Sequence, residues 1–429
     1  MSGKIIEIEA ASFRREVLEH EGPVVVDFFS TECPPCEALA PKFEAMSVLY
    51  GDDAKFVKIF RQGNRELATE LGVQSSPTVL FYSGGEEIGR RLTGGIKRAE
   101  LMAGLEACLP ASRVAEARSA IAPVDTSCDV LILGGGPAGL TAGIYASQSK
   151  LRTMIVDVGL GGGHLAITHQ ISNWPGYPAP QPGYALAHGL IEHAKAAGVT
   201  MRLAADVTLV DLERKQALID GFETIQARTL LVATGSSPRP LGVPGELEHS
   251  GKGISYCATC DAKYYEGKHV VVIGGGNSAI EESLFIAKFA SKITIVHQFA
   301  ELQANKQAQE KAFADPKISF VFEHEPREFQ KHGTGVDAVL VENLRTGERH
   351  VIGCDGVFIF AGMKPNLDLF PSAFALDDFG YIKADGDMHT SVPGVFAAGD
   401  VVSKRIRQMT TAVADGTIAA VTMARELGA

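Results

Sequence analysis

"CDVLILGGGPAGLTAGIYAS", Cys128–Ser147, is the stretch that decides the fold. The apolar segment Asp129–Leu133 reads as a strand. It runs directly into Gly134-x-Gly136-x-x-Gly139, and a helical pattern follows. In that context each glycine has a job. Gly134 permits a tight turn, Gly136 lets backbone N–H groups approach a pyrophosphate, and Gly139 allows close helix–strand packing. The helix opening at Pro137 and Ala138 points its positive end at the phosphates. The next strand, "RTMIVD", ends on Asp157, placed to accept hydrogen bonds from ribose hydroxyls.

The design recurs downstream in "KHVVVIGGGNSAIEESLFIAKFASKITIVHQ", Lys268–Gln298. Strand, Gly274-x-Gly276-x-x-Ala279, helix and strand follow in the same order, with Asn277 and Ser278 at the helix start. A lone glycine loop is a weak signal, but two copies, each between a strand and a helix, predict two dinucleotide-binding units. Ahead of both lies a third α/β block. "VVVDFFS" (Val24–Ser30) is a buried strand, "KFVKIF" a second, and "TVLFYSGGEE" a strand entering a hairpin turn. Residues 109–127 are polar and Ala-rich with a proline near each end. They read as a linker, with a helical turn or two at most.

Seven cysteines are present, four of them in two Cys-x-x-Cys pairs. "STECPPCEALAP" (Ser30–Pro41) holds Cys33 and Cys36; "YCATCDA" (Tyr256–Ala262) holds Cys257 and Cys260. Such pairs bind metal, cycle between dithiol and disulfide, or are simply buried. Zinc motifs sit tens of residues apart within one small unit; here more than 200 residues intervene, and no metal is expected. Cys33 falls at a strand-to-helix junction, where the helix N-terminus lowers a thiol pKa. Asp27, inside the apolar strand, is a candidate buried carboxylate to shuttle the proton of Cys36. Pro77 precedes the next strand, where a cis peptide would lie against the sulfurs. Asp261 is placed to exchange a proton with a thiolate leaving group at the second pair. The twelve histidines are scattered, and for His164, in a glycine-rich loop, packing is the simpler reading. Cys108, Cys128 and Cys354 have no partner at useful spacing.

The net charge is −11. Neither the first 108 residues (12 basic, 17 acidic) nor the remainder (28 basic, 34 acidic) is basic. Nucleic acid and anionic membrane are therefore not expected partners. No apolar run reaches the roughly 18 residues of a membrane helix, and "MSGKIIEIEAASF" has no signal-peptide pattern, so a cytoplasmic protein is expected.

Residues from about 125 onward resemble the low-molecular-weight thioredoxin reductases of bacteria and plants. The motifs are "GGGPAGL", "GGGHL" with "ISNWPGYP", "LLVATGSSPRPLGVPGE", "YCATCDA", "GGGNSAIEE", "GVFIFAGMKPN" and "GVFAAGDVVSKRIRQMTTAVADG". Residues 1 to about 108 resemble thioredoxin, through "VVVDFFSTECPPCEALAP", Lys58 and the Pro77 loop. The resemblance implies an α/β chain with an N-terminal thioredoxin fold and two Rossmann-like domains of the pyridine nucleotide-disulfide reductase type. The expected boundaries are 1–108 for the thioredoxin domain and 109–124 for the linker. An FAD domain split into 125–240 and 363–429 would enclose a pyridine-nucleotide domain at 241–362. It implies FAD on the first loop, with Asp157 at the adenosine ribose. Asn173, Gly399, Asp400 and Gln408 would line the flavin and its ribityl chain. Cys260 would face the flavin and Cys257 would exchange with thioredoxin, in a homodimer. The family's activity would make this an FAD-dependent thioredoxin-disulfide reductase that feeds its own thioredoxin domain and, through it, other disulfide proteins. A flexible linker of this length spans about 25 Å on average, so tethered docking is feasible.

Two places depart from the family pattern. NADPH-dependent members carry three arginines after the second unit; here Gln298, Phe299 and Gln303 stand there. A 2′-phosphate without its cationic clamp loses charge-assisted hydrogen bonds. NADH is favoured over NADPH, with reduced ferredoxin as another donor class. Glu32 and Pro34 replace the Trp and Gly of the usual thioredoxin motif, which bears on the potential and targets of the pair. The rival readings are an alkyl hydroperoxide reductase flavoprotein feeding a peroxiredoxin, which has a double thioredoxin-fold N-terminal domain, and a non-catalytic redox-sensing module.

Overall fold

The computed structural model describes residues 5–31, 33–168, 170–331 and 335–429. Glu32, singled out beside Cys33, lies outside the described residues. The first unit is a five-stranded sheet in the order Ile5–Glu7, Lys55–Phe60, Val24–Phe29, Thr78–Ser83, Glu86–Thr93. The central strand Val24–Phe29 is apolar on both faces because helices cover both. Val24, Val26 and Phe28 pack in one core, and Val25 in the other with Leu39, Phe43 and Met46 of helix Pro34–Leu49. Period-2 alternation puts Asp27 on the Val25 side, under the helix that follows Cys33.

Residues 109–124, read as a linker, contain helix Ala111–Ser119 packed on this unit. Ala117 is buried in its core, Arg113 pairs with Asp53, and Arg118 pairs with Glu106. A sequence polar enough to suggest a flexible tether is held by two ion pairs and one small apolar contact. The segment therefore has much less reach than a random coil of its length.

The second unit is a sheet in the order Thr200–Arg202, Thr153–Val156, Val124–Leu133, Glu223–Val232, Gln216–Ile219, Val207–Asp211. Strand Val395–Ala397, from near the chain's end, pairs in parallel with Glu223–Val232. Helix Met409–Leu427 returns onto helix Pro137–Gln148, with Ala412, Ala419 and Met423 in one core with Ala138, Ala142 and Ala146. The chain thus leaves this domain and re-enters it.

Between exit and return lies a parallel sheet in the order Ile254–Ser255, Gly356–Ile359, His269–Ile273, Lys292–His297, Ile318–Phe322, with a three-stranded antiparallel sheet beside it. The two crossings are tied together. Ser236–Pro238 pairs antiparallel with Met363–Pro365, and Asn366 exchanges hydrogen bonds with Thr234 and Ser237. Among the described residues no helix is long and apolar enough to cross a membrane.

Candidate active site

The first glycine loop has the conformation its pattern demands. Gly134 has φ +109°, and a Cβ on Gly139 would overlap the carbonyl oxygen of Gly134. The second copy repeats the turn at Gly274 (φ +127°) and tolerates Ala279, which is fully buried. Helices Pro137–Gln148 and Asn277–Ile286 both start at a glycine, Gly136 and Gly276, with no side-chain cap. Their first N–H groups are left for an anion, and the Cβ direction of Gly276 opens into free space.

Around the first loop, Asp157 accepts from the backbone N–H of Gly135 (2.5 Å) and Gly159 (2.6 Å). A carboxylate has lone pairs to spare for ribose hydroxyls beyond these two. Asn173 Nδ2 donates to Gln408 Oε1 at 3.0 Å, so two residues 235 positions apart meet. Gly399 (φ +83°) sits against Ala138, and its N–H donates to Asp415, which Lys404 also holds. Beside it, Asp400 Oδ1 is buried without a partner, and burial raises its pKa. An orphaned carboxyl oxygen beside an open glycine loop fits a group that brings hydroxyls there, as a flavin's ribityl chain does. His164 is tied to the backbone near the domain crossing. Its Nε2 is 2.7 Å from the carbonyl oxygen of Ser236.

At the second loop the strand Lys292–His297 ends on a buried histidine. The ring packs on Gly275, where a Cβ would come within 2.5 Å of Cγ. Burial lowers the His297 pKa, and its Nε2 has no hydrogen-bond partner. Gln298, Phe299 and Gln303 are exposed and uncharged. Helix Asn277–Ile286, which opens at the second loop, carries Glu282, whose pKa is pushed up to about 7 by burial and then by Glu281.

Both Cys-x-x-Cys pairs are closed as disulfides, Cys33–Cys36 and Cys257–Cys260. They share one local design. Cys33 caps helix Pro34–Leu49 and accepts from the Cys36 N–H at 3.3 Å; Cys257 caps helix Ala258–Asp261 and accepts from the Cys260 N–H at 3.3 Å. The second pair is the more open, with Cys260 exposed and Asp261 half-buried next to it. Near the first pair, the peptide Ser76–Pro77 is cis. Asp27 is 2 % exposed, Oδ1 has no partner and Lys58 Nζ is 4.0 Å from Oδ2. Burial raises its pKa to about 7, against the weaker opposing pull of Lys58.

Several residues escaped the sequence reading. Arg61 and Ser30 both bond Ser76 Oγ beside Cys33. Lys404 and Asp415 brace Gly399. Lys42 donates to carbonyls of the second unit. Each depends on a partner distant in sequence, and no local pattern marks it.

Two glycine loops and two dithiol–disulfide couples on this scaffold define a disulfide oxidoreductase. Comparison with known proteins agrees. Residues 128–416 match the pyridine nucleotide-disulphide oxidoreductase family and residues 4–107 match thioredoxin. A thioredoxin reductase of Peptoclostridium acidaminophilum is 42% identical over 299 residues, 68% of this chain and 94% of that protein. The Bacillus subtilis thioredoxin reductase is 38% identical over 292 residues, 68% of this chain and 92% of that protein. The crystal structure of Lactococcus lactis thioredoxin reductase in the FR conformation superposes with a TM-score of 0.67 at 34% identity, covering 70% of this chain and 99% of that one. The chain belongs to the pyridine nucleotide-disulphide oxidoreductase family, in its thioredoxin reductase branch, with a thioredoxin domain ahead of the reductase part.

Proposed function

We propose that the protein is an FAD-dependent thioredoxin-disulfide reductase that carries its own acceptor. Electrons from a reduced donor, NADH ahead of NADPH, reach Cys257–Cys260, pass to Cys33–Cys36, and leave to disulfides of other proteins, a peroxiredoxin among the candidates. The observation that carries this reading is the pair of cystines of matching local design, one on the thioredoxin unit and one on the inserted domain.

FAD would lie on Gly134, Gly136, Pro137, Ala138 and Gly139, with Asp157 at its ribose and Asn173, Gly399, Asp400 and Gln408 toward the flavin. The nicotinamide dinucleotide would lie on Gly274, Gly276, Asn277, Ser278 and Ala279. When bound, the flavin supplies two-electron chemistry between a hydride donor and a disulfide. The chain's own cysteines then do the rest. The Cys257 thiolate attacks Cys33, forming a mixed disulfide and releasing Cys36 as a thiolate. Cys260 attacks Cys257 and frees Cys33, so one pair loses two electrons and the other gains them. Asp27, with a pKa of about 7, is poised to hand the Cys36 thiolate a proton and take it back. Asp261 has the same role at Cys260. The expected assembly is a homodimer.

The donor is tested by anaerobic titration of the flavin absorbance with NADH, NADPH and reduced ferredoxin in turn. NADH should bleach it at the lowest concentration. An oxidised flavin at millimolar NADH, with another donor effective, overturns the NADH assignment.

A further inference from the structure

Among the described residues, the rim of the exit disulfide is polar and carries a cation without an ion-pair partner, Arg61. Arg61 follows strand Lys55–Phe60, and its backbone N–H bonds the carbonyl of Phe29, which brings it to the end of the two inner strands from which the chain runs on to Cys33. Its Nε donates to Ser76 Oγ at 2.8 Å and Nη1 reaches the Gln74 carbonyl at 3.4 Å. Ser30 Oγ donates to the same Ser76 Oγ at 2.7 Å. Ser76 also touches the sulfur, with its carbonyl oxygen 3.5 Å from Cys33 Sγ. One residue therefore fixes both the guanidinium and the reacting atom.

The described charges near Arg61 leave its guanidinium free to bind an anion. Among the described residues it has no carboxylate partner. Glu37, at the start of the helix, is held by Lys195 at 2.8 Å, and Lys58 faces Asp27. Nearby, Thr31, Ser75 and Thr93 are exposed hydroxyls and Gln74 is an exposed amide. Among the described residues of 5–107, Val48 is the one large apolar side chain that is exposed, at the far end of the helix from Cys33. A partner docking here finds hydrogen-bond donors and a positive charge in place of an apolar patch.

We propose that Arg61 selects the protein disulfides this domain reduces, by binding a carboxylate next to the attacked cysteine. The partner is a protein whose reducible cysteine is flanked by Asp or Glu. This rests on the proposed reduction of external disulfides through Cys33. In the step served, the Cys33 thiolate attacks one target sulfur and displaces the other as a thiolate. Cys36 then displaces the first, so the target gains two electrons, the pair loses two, and protons from solvent complete the target's thiols. A planar fork of N–H donors held by Ser76 is suited to a carboxylate and gives up little freedom on binding.

The test isolates recognition from the internal relay. Full-length protein with Cys257→Ser and Cys260→Ser is reduced with dithiothreitol and desalted, leaving Cys33–Cys36 as the reactive couple. Single-turnover exchange is followed with three disulfide peptides that carry Asp, Asn or Lys beside the cysteine. With Arg61 present the Asp peptide should react about tenfold faster than the Lys peptide, a difference that shrinks with added salt. Arg61→Gln should bring the ratio close to one and Arg61→Lys should keep part of it. Equal rates with Arg61 in place, or an unchanged ratio in Arg61→Gln, overturn the proposal. So does a uniform slowing of all three peptides, which would mean that Arg61 acts on the thiolate alone. Because the couple is reduced chemically, a failed relay leaves this result readable.

Discussion

Lys42 Nζ donates to the carbonyl oxygen of Ala204 at 2.6 Å, joining the thioredoxin unit to the first nucleotide-binding domain. The same ammonium reaches Leu203 and Ile96, each at 3.0 Å. Lys97–Asp206 and Lys195–Glu37 flank it. The gripped loop also bonds the first dinucleotide site, since Ala204 N–H donates to Gly159 and Ala205 N–H to Asp157.

Removing the clamp should loosen that contact. Lys42→Ala leaves buried carbonyls without a donor, which costs on the order of 1–3 kcal/mol. Hydrogen exchange should rise at 94–98 and 203–206 and extend to 157–159, with little change in the inserted domain. Unchanged exchange at 203–206 would mean that the clamp holds nothing.

Asp27 makes the stability of the thioredoxin unit pH-dependent. Its folded pKa of about 7 lies above the ordinary 3.8, so the protonated form is the stabilised one. That stability is fully present below pH 4 and is lost as pH rises through 7, by up to about 4 kcal/mol. Asp27→Asn should flatten this part of the profile and raise the denaturation midpoint at pH 8, while slowing thiol exchange. Denaturant titrations at pH 5, 7 and 8 measure it.

Asp400→Ala should weaken FAD retention roughly ten- to a hundredfold, the loss of a buried acceptor for a ligand hydroxyl. The ratio of flavin to protein absorbance after dialysis reports this without turnover. Full occupancy in the variant would place the flavin's hydroxyls elsewhere.

Restoring arginines at Gln298, Phe299 and Gln303 should lower the KM for NADPH roughly ten- to a hundredfold and leave that for NADH within a few-fold. Steady-state kinetics with both nucleotides decide it.

What was legible in the sequence is what local spacing encodes. Gly134 to Gly139, Gly274 to Ala279 and both Cys-x-x-Cys pairs are patterns within a few residues, and the turns and caps they require are there. Asp27 could be suspected because a charge inside an apolar strand has to be buried. The closure of the first nucleotide-binding domain by residues near the chain's end was suggested by the family resemblance, since strand pairing between Leu230 and Val395 leaves no local mark. Lys42 and Arg61 read as ordinary surface cations until the fold supplied Ala204 and Ser76. The segment 109–124 read as a tether because one buried alanine and two ion pairs give no periodic signal.

The central claim is that Cys257–Cys260 reduces Cys33–Cys36. Its most direct measurement is differential alkylation with mass spectrometry, made anaerobically with whichever donor bleaches the flavin. Unaltered protein should expose both Cys33 and Cys36 to the alkylating agent. In the Cys257→Ser, Cys260→Ser variant the flavin should still bleach while Cys33–Cys36 stays a disulfide. Equal labelling of Cys33 in the variant, or a persistent Cys33–Cys36 disulfide in unaltered protein with a bleached flavin, would contradict the relay.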